Sequence, residues 1–125
     1  MSTKHHIIVK AEAFFIGEQS SAKQKNYVFG YTITIVNEGT VAAQLLQRHW
    51  LITDANGKIQ EVQGDGVIGE QPYLKPNESF RYTSGAILET PVGVMRGHYT
   101  MRSEEGDDFK AIIPQFTLSI PRVLH

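Results

Sequence analysis

Three glycines at the spacing G-x-G-x-x-G, Gly64, Gly66 and Gly69, are the first residues here whose pattern could do chemistry. In a dinucleotide-binding fold this motif follows a strand and opens a helix, whose N-terminal amides and dipole hold a pyrophosphate. A strand does precede the glycines. Pro72 and Pro76 follow at once, and they leave no room for the long apolar-faced helix of a βαβ unit. Glu89 lies about twenty residues on, where a ribose-binding acid would stand, but beyond a predicted antiparallel strand. No Gly-Lys-Ser/Thr follows, so the stretch is not a P-loop either. Two readings stay open. Successive backbone N–H groups could cradle an anion without any helix, with Gln71 beside them and Lys75 and Arg81 adding charge. Alternatively, the glycines supply positive φ so that a long connection can cross a sheet edge.

The remaining chemistry-bearing residues are scattered. The histidines are His5, His6, His49, His98 and His125, with no H-x-x-x-H or H-x-H pair inside one element. His49 and His98 could meet in space, but a divalent transition-metal ion wants several imidazole or carboxylate ligands, and no metal site is assigned. Asp54, Glu61 and Asp65 could converge near a hairpin. Asp54-Ala55-Asn56-Gly57 superficially resembles a calcium loop, yet its glycine comes at the fourth position rather than the sixth. Glu104, Glu105, Asp107 and Asp108 form an acidic tip, which reads as a solvated turn. Ser84 with His49 or His98 and a carboxylate is a conceivable triad, but Tyr82-Thr83-Ser84-Gly85-Ala86 is not a nucleophile elbow. No catalytic residue is assigned, and no cofactor is expected.

These residues must be positioned by strands. The chain has 125 residues, the common size of one domain, and is read as a single domain over 1–125. Apolar residues make up 41% and charged residues 20%, enough to build a core without staples. A formal charge of -1 and no basic run give no footprint for nucleic acid or an anionic membrane. Absence of cysteine excludes disulfides and thiolate metal sites. The N-terminal apolar run is broken by Lys10 and Glu12, unlike a signal peptide, so a cytoplasmic location is expected.

Alternation by two, not the helical period, runs through the chain. It predicts strands over 6–16, 26–37, 41–53, 58–63, 78–84, 94–103 and 108–113, with 115–120 continuing past Pro114. On the second, Tyr27, Phe29, Tyr31, Ile33 and Ile35 share a face, and Gly30 marks a bulge or a close backbone approach. On the third, Leu46, Trp50 and Ile52 share a face with Arg48 among them. Asn56-Gly57 predicts a type I′ hairpin turn, with both residues at positive φ. Seven or more short strands without a confident helix predict an all-β sandwich of two antiparallel sheets. The immunoglobulin Cys…Trp…Cys spacing is absent, so the fibronectin type III version is expected, with Trp50 in its core.

Taken together, Gln47-Arg48-His49-Trp50-Leu51-Ile52-Thr53-Asp54, Asn56-Gly57 and Glu61 through Pro72 resemble the ApaG family. Leu74, Pro76, Phe80, Tyr82 through Gly85, Gly97-His98-Tyr99 and the run from Ile113 to Phe116 extend the likeness over nearly the whole chain. Asn77 stands where relatives carry glycine. The resemblance implies a fibronectin type III-like sandwich in a bacterial cytoplasmic protein. It also implies a link to cobalt resistance and magnesium efflux, and bacterial genes that lie near one for a diadenosine tetraphosphate hydrolase. Related eukaryotic domains in F-box and polymerase-interacting proteins are thought to bind proteins. The family carries no established catalytic residues. The expected function is a non-catalytic module that engages a protein partner through a sheet edge or through the loop containing Gln71, Pro72 and Tyr73. A sensor of pyrophosphate or a dinucleoside polyphosphate at the glycines is the alternative. A homodimer through exposed edges is also conceivable.

Overall fold

In the computed structural model, which describes residues 4–121, the period-two alternation becomes eight strands. They are β1 (Ile7–Phe15), β2 (Tyr27–Asn37), β3 (Ala43–Asp54), β4 (Ile59–Asp65), β5 (Tyr73–Leu74), β6 (Ser79–Leu88), β7 (Val92–Ser103) and β8 (Asp108–Ser119). A 3₁₀ turn at Gly17–Gln19 is the only helical element among the described residues. One sheet has the order β1-β2-β6. The other has the order β4-β3-β7-β8, with β5 also paired to β3. All these pairings are antiparallel. The result is the expected fibronectin type III-like sandwich. No helix among the described residues is long and apolar enough to cross a membrane.

The core forms where the inward phases of the two sheets meet. Phe29, Tyr31, Ile33 and Ile35 of β2 face Leu45, Trp50, Met95, Tyr99, Met101 and Ile113 of the other sheet. Trp50 is 2% exposed and meets Tyr31 and Phe116 edge-on, at 5.4 and 5.9 Å between ring centroids. That arrangement sets the positive edge of one ring against the negative face of the next. The hydroxyls of Tyr82 and Tyr99 bond each other inside the core. Burial pushes both phenols well up, so the pair stays neutral. β1 packs beside β8 and closes one side of the sandwich.

Geometry corrects two local expectations and makes two others specific. First, β3 carries a bulge at Leu46, between the pairs Leu45↔Met101 and Gln47↔Thr100. The extra residue reverses the phase, so Leu45, not Leu46, joins the core with Trp50 and Ile52. Second, the Asp54–Gly57 turn is not type I′, because only Gly57 has positive φ. The buried Asp54 carboxylate organises it by accepting from the amides of Asn56 and Lys58, both at 2.9 Å. Third, β8 is one strand. Pro114 and Gln115 oppose the single residue Arg96, a bulge that accommodates a residue with no N–H to donate. Fourth, Gly30 marks a close approach without a bulge: a Cβ there would lie 2.3 Å from the Phe14 ring.

Asn37 ties the turn after β2 to β5. It is fully buried, and its amide donates to the carbonyls of Val41 and Leu74, both at 2.9 Å, while its oxygen accepts from Gly39. Asn77 takes φ 73°, a left-handed conformation that asparagine tolerates in glycine's stead. Because Trp50 joins both sheets through three aromatic neighbours, Trp50→Ala is expected to cost about 3–5 kcal/mol. Urea unfolding followed by circular dichroism measures this, with the exposed Ile112→Ser as a near-neutral control.

Candidate functional site

Residues 66–72 leave β4, arch outward, and rejoin the same edge of β3 as β5. β4 pairs with β3 from Gln47 to Thr53, and β5 resumes along the same edge at Ala43 and Gln44. The β3 bulge lies between these two pairings and turns the Leu46 carbonyl toward the arch. That carbonyl accepts from the Gly66 amide at 2.8 Å and from Gln71 Nε2 at 3.0 Å. The Leu45 amide donates to the Pro72 carbonyl, and Gln44 Nε2 to the Gln71 carbonyl. Val67, 1% exposed, plugs the core from within the arch. The tip, Ile68-Gly69, turns between Val67 and Glu70, whose backbones bond each other in both directions. Both tip residues have positive φ, 44° and 79°.

The glycines have separate reasons to be there. A Cβ at Gly64 would meet the Arg48 guanidinium at 2.7–2.9 Å, because that group lies across the glycine. A Cβ at Gly66 would strike the Glu70 carbonyl oxygen at 2.3 Å. At Gly69 there is open space, and only the φ matters. The amides of Gly66, Val67 and Glu70 are all engaged within the protein. Among the described residues, the Ile68 and Gly69 amides have no protein acceptor.

The structure therefore gathers Gly64, Gly66, Gly69, Gln71, Pro72 and Tyr73 along one stretch of the β3 edge. Gln71 and Tyr73 are exposed and Pro72 is half-buried. Lys75 lies past β5 in a turn where its backbone pairs with Glu78. Arg81 is apart from them: it pairs with Thr34 and points outward from the three-stranded sheet.

Sequence reasoning did not assign Arg48 to the site. It stands in the inward phase of β3, half-buried, with both Nη1 hydrogens spent on the carbonyls of Asp65 and Gly66, each at 3.0 Å. Among the described residues it forms no ion pair. It lines a cleft of about 220 Å³ with Tyr31, Trp50, Tyr82 and Ser84, closed by Val67, Ile68 and Gly69 of the arch. Burial pushes the Tyr31 phenol up, and the Ser84 hydrogen bond and the Arg48 charge offset part of that. The signal was legible: a cation in the same phase as Trp50 and Ile52 must be held by something.

On the outer face of the larger sheet, His49 and His98 do meet, as a cross-strand pair with ring centroids 5.0 Å apart. His49 Nε2 bonds Glu61 at 2.7 Å, which together with Gln63 holds the Glu61 carboxyl below its ordinary range. His49, His98 and Gln63 border a polar cleft of about 320 Å³ that also includes Gln47, Arg48, Asp65 and Thr100. Ser84 faces the interior from the other sheet, so no triad forms with these histidines. Asp54 is committed to its turn, and it does not converge with Glu61 and Asp65. Lys4 and Arg102 pair with Glu105 and Asp108 of the acidic tip. No group of three or more His, Asp or Glu among the described residues is placed to hold an ion. His125 lies outside the described residues.

Two antiparallel sheets packed face to face, with a loop anchored along one sheet edge, define an all-β sandwich. Residues 17–103 match the ApaG domain, and the chain belongs to the ApaG family. It is 57% identical over 122 residues to Protein ApaG of Thiobacillus denitrificans, covering 98% of this chain and 96% of that one. Protein ApaG of Photobacterium profundum is 57% identical over 111 residues, 89% of this chain and 87% of that one. A crystal structure from Bordetella pertussis superposes with a TM-score of 0.94 at 44% identity, covering 98% of this chain and all of that one.

Two predictions follow from this geometry. Gly66→Ala meets a backbone carbonyl in a left-handed conformation and is expected to cost about 2–3 kcal/mol, against about 1 for Gly69→Ala, which meets only the backbone strain. Gly64→Ala displaces a flexible side chain and should fall between them in thermal melts. Burial lowers the His98 pKa, with the Lys110 and His49 charges adding to the shift. The unfolded chain then binds more protons, so stability falls as pH drops below about 6.5, the ordinary histidine value. His98→Gln should flatten that fall in melts recorded between pH 7 and 5.

Proposed function

We propose that this chain is a non-catalytic, cytoplasmic protein-binding module, one domain over 1–125, that docks through its glycine arch and the adjoining Gln71, Pro72 and Tyr73. The observation that carries this reading is Ile68. A β-branched residue at positive φ is a genuine backbone outlier, and strain of that kind concentrates where a site is held ready. Ile68 is nevertheless 56% exposed, with Tyr73 at 48% on the same arch. The bonds to the Leu46 carbonyl hold the arch in place, so little ordering remains when a partner arrives. Any bearing on cobalt or magnesium handling passes, in this reading, through that partner. The arch keeps three of its amides for itself, which weighs the protein-binding reading above a pyrophosphate or dinucleoside polyphosphate cradle.

Asparagine accepts the left-handed conformation that isoleucine resists, at a difference of about 1–2 kcal/mol. Ile68→Asn should therefore raise the melting temperature while weakening partner capture. Affinity capture from cell extract with wild type, Ile68→Asn and Tyr73→Ala measures this, with Ile112→Ser as an exposed control elsewhere. A partner lost from both arch variants and kept by the control is the expected result. Capture unaffected by both arch changes would falsify the docking assignment.

A further inference from the structure

We propose that the cleft beneath the arch is a carboxylate-binding site, which takes an Asp or Glu side chain of the docked protein on Arg48. This deepens the docking reading above and rests on it for the source of the carboxylate. The argument starts with how the guanidinium is held. Both Nη1 hydrogens go to the backbone carbonyls of Asp65 and Gly66, and Gly64 lies across the plane of the group. The planar group is therefore fixed in orientation before any ligand arrives. Its other edge, Nε with Nη2, makes no hydrogen bond among the described residues. That edge offers two parallel N–H donors, the fork that matches the two oxygens of a carboxylate. The same chain already uses this pairing elsewhere: Arg102 holds Asp108 through Nε and Nη2 at 2.7 and 3.0 Å.

The surroundings agree with an anion of that size and charge. Arg48 is the only charged residue lining this cleft, and among the described residues it forms no ion pair. The Ser84 and Tyr31 hydroxyls also line the cleft, and with Ser84 donating to Tyr31 the Tyr31 O–H is left to donate to an oxygen that the fork leaves uncovered. The volume of about 220 Å³ lies below the roughly 300–1,000 Å³ of clefts that enclose drug-sized ligands, and suits a single side chain. Ile68 forms the outer lip, so an acidic residue entering the cleft would bring its apolar neighbours onto the exposed Ile68 and Tyr73.

The test is a titration of ¹⁵N-labelled protein with the amide-capped residue acetyl-Glu-NH₂, its neutral isostere acetyl-Gln-NH₂, and inorganic phosphate. The Arg48 Nε–H resonance and the amides of Ile68, Gly69 and Ser84 are followed. We expect saturable shifts confined to those groups with the glutamate compound, and none with the glutamine compound at equal concentration. Ser84→Ala, which removes the hydroxyl that orients Tyr31 and leaves the Arg48 anchors intact, should weaken binding several-fold in a folded protein. Arg48→Lys keeps the charge but loses the fork, and should weaken it about tenfold or more. If Arg48→Lys does not fold, Ser84→Ala alone decides. Absent or diffuse shifts, unchanged binding in folded Ser84→Ala, or tighter binding of phosphate than of the glutamate compound would each overturn the carboxylate assignment. The titration needs no partner. Saturation here, with partner capture unaffected by Ile68→Asn and Tyr73→Ala, would therefore sink the docking reading alone.

Discussion

One misfit residue organises this protein's candidate site: the bulge at Leu46. It lies in the ladder between β3 and β7, between the pairs Leu45↔Met101 and Gln47↔Thr100. The extra residue breaks the ladder and frees the Leu46 oxygen, which then accepts two hydrogen bonds from the arch. It also resets the phase of everything that follows. Arg48, Trp50 and Ile52 turn inward because Leu46 was skipped, and His49 turns out to meet His98. The buried aromatic centre and the orientation of the guanidinium thus depend on the same backbone irregularity.

Arg48 and the arch support one another. The guanidinium needs acceptors because a half-buried cation without them is expensive, and the arch supplies the carbonyls of Asp65 and Gly66. The arch needs fixed points because seven residues off the sheet edge would otherwise lose ladder bonds without compensation. It finds them in the bulge carbonyl, in Val67 packed into the core, and in the Pro72 carbonyl on Leu45. With so many anchors, the strain at Ile68 is held in place. Its backbone cannot relax without undoing contacts on both sides.

The two faces of the larger sheet divide the polar chemistry. Inward lie the neutral tyrosines and one cation. Outward lie the histidine pair, Glu61 and the polar cleft, which Arg48 also borders. The sheet itself separates them, which is why Ser84 and the histidines do not assemble. Alternation in a strand makes that separation unavoidable once both sets sit in opposite phases.

The sequence alone determined the sandwich. Period-two alternation, turn residues at regular spacing and the lack of helical pattern left little else to build, and Trp50 fell in the core because its run was apolar. Pro72 and Pro76 likewise sufficed to exclude a nucleotide-binding helix after the glycines. Only the tertiary structure decided the site. Bulges at Leu46 and beside Pro114 are matters of pairing between strands, and nothing local announces which residue the ladder will skip. Whether Asp54 or Asn56 governs a hairpin depends on which group is buried. That Arg81 stands apart from the glycines while Arg48 lies across Gly64 is likewise a matter of register: residues sixteen positions apart become neighbours through antiparallel pairing, and residues closer in sequence are carried to another sheet.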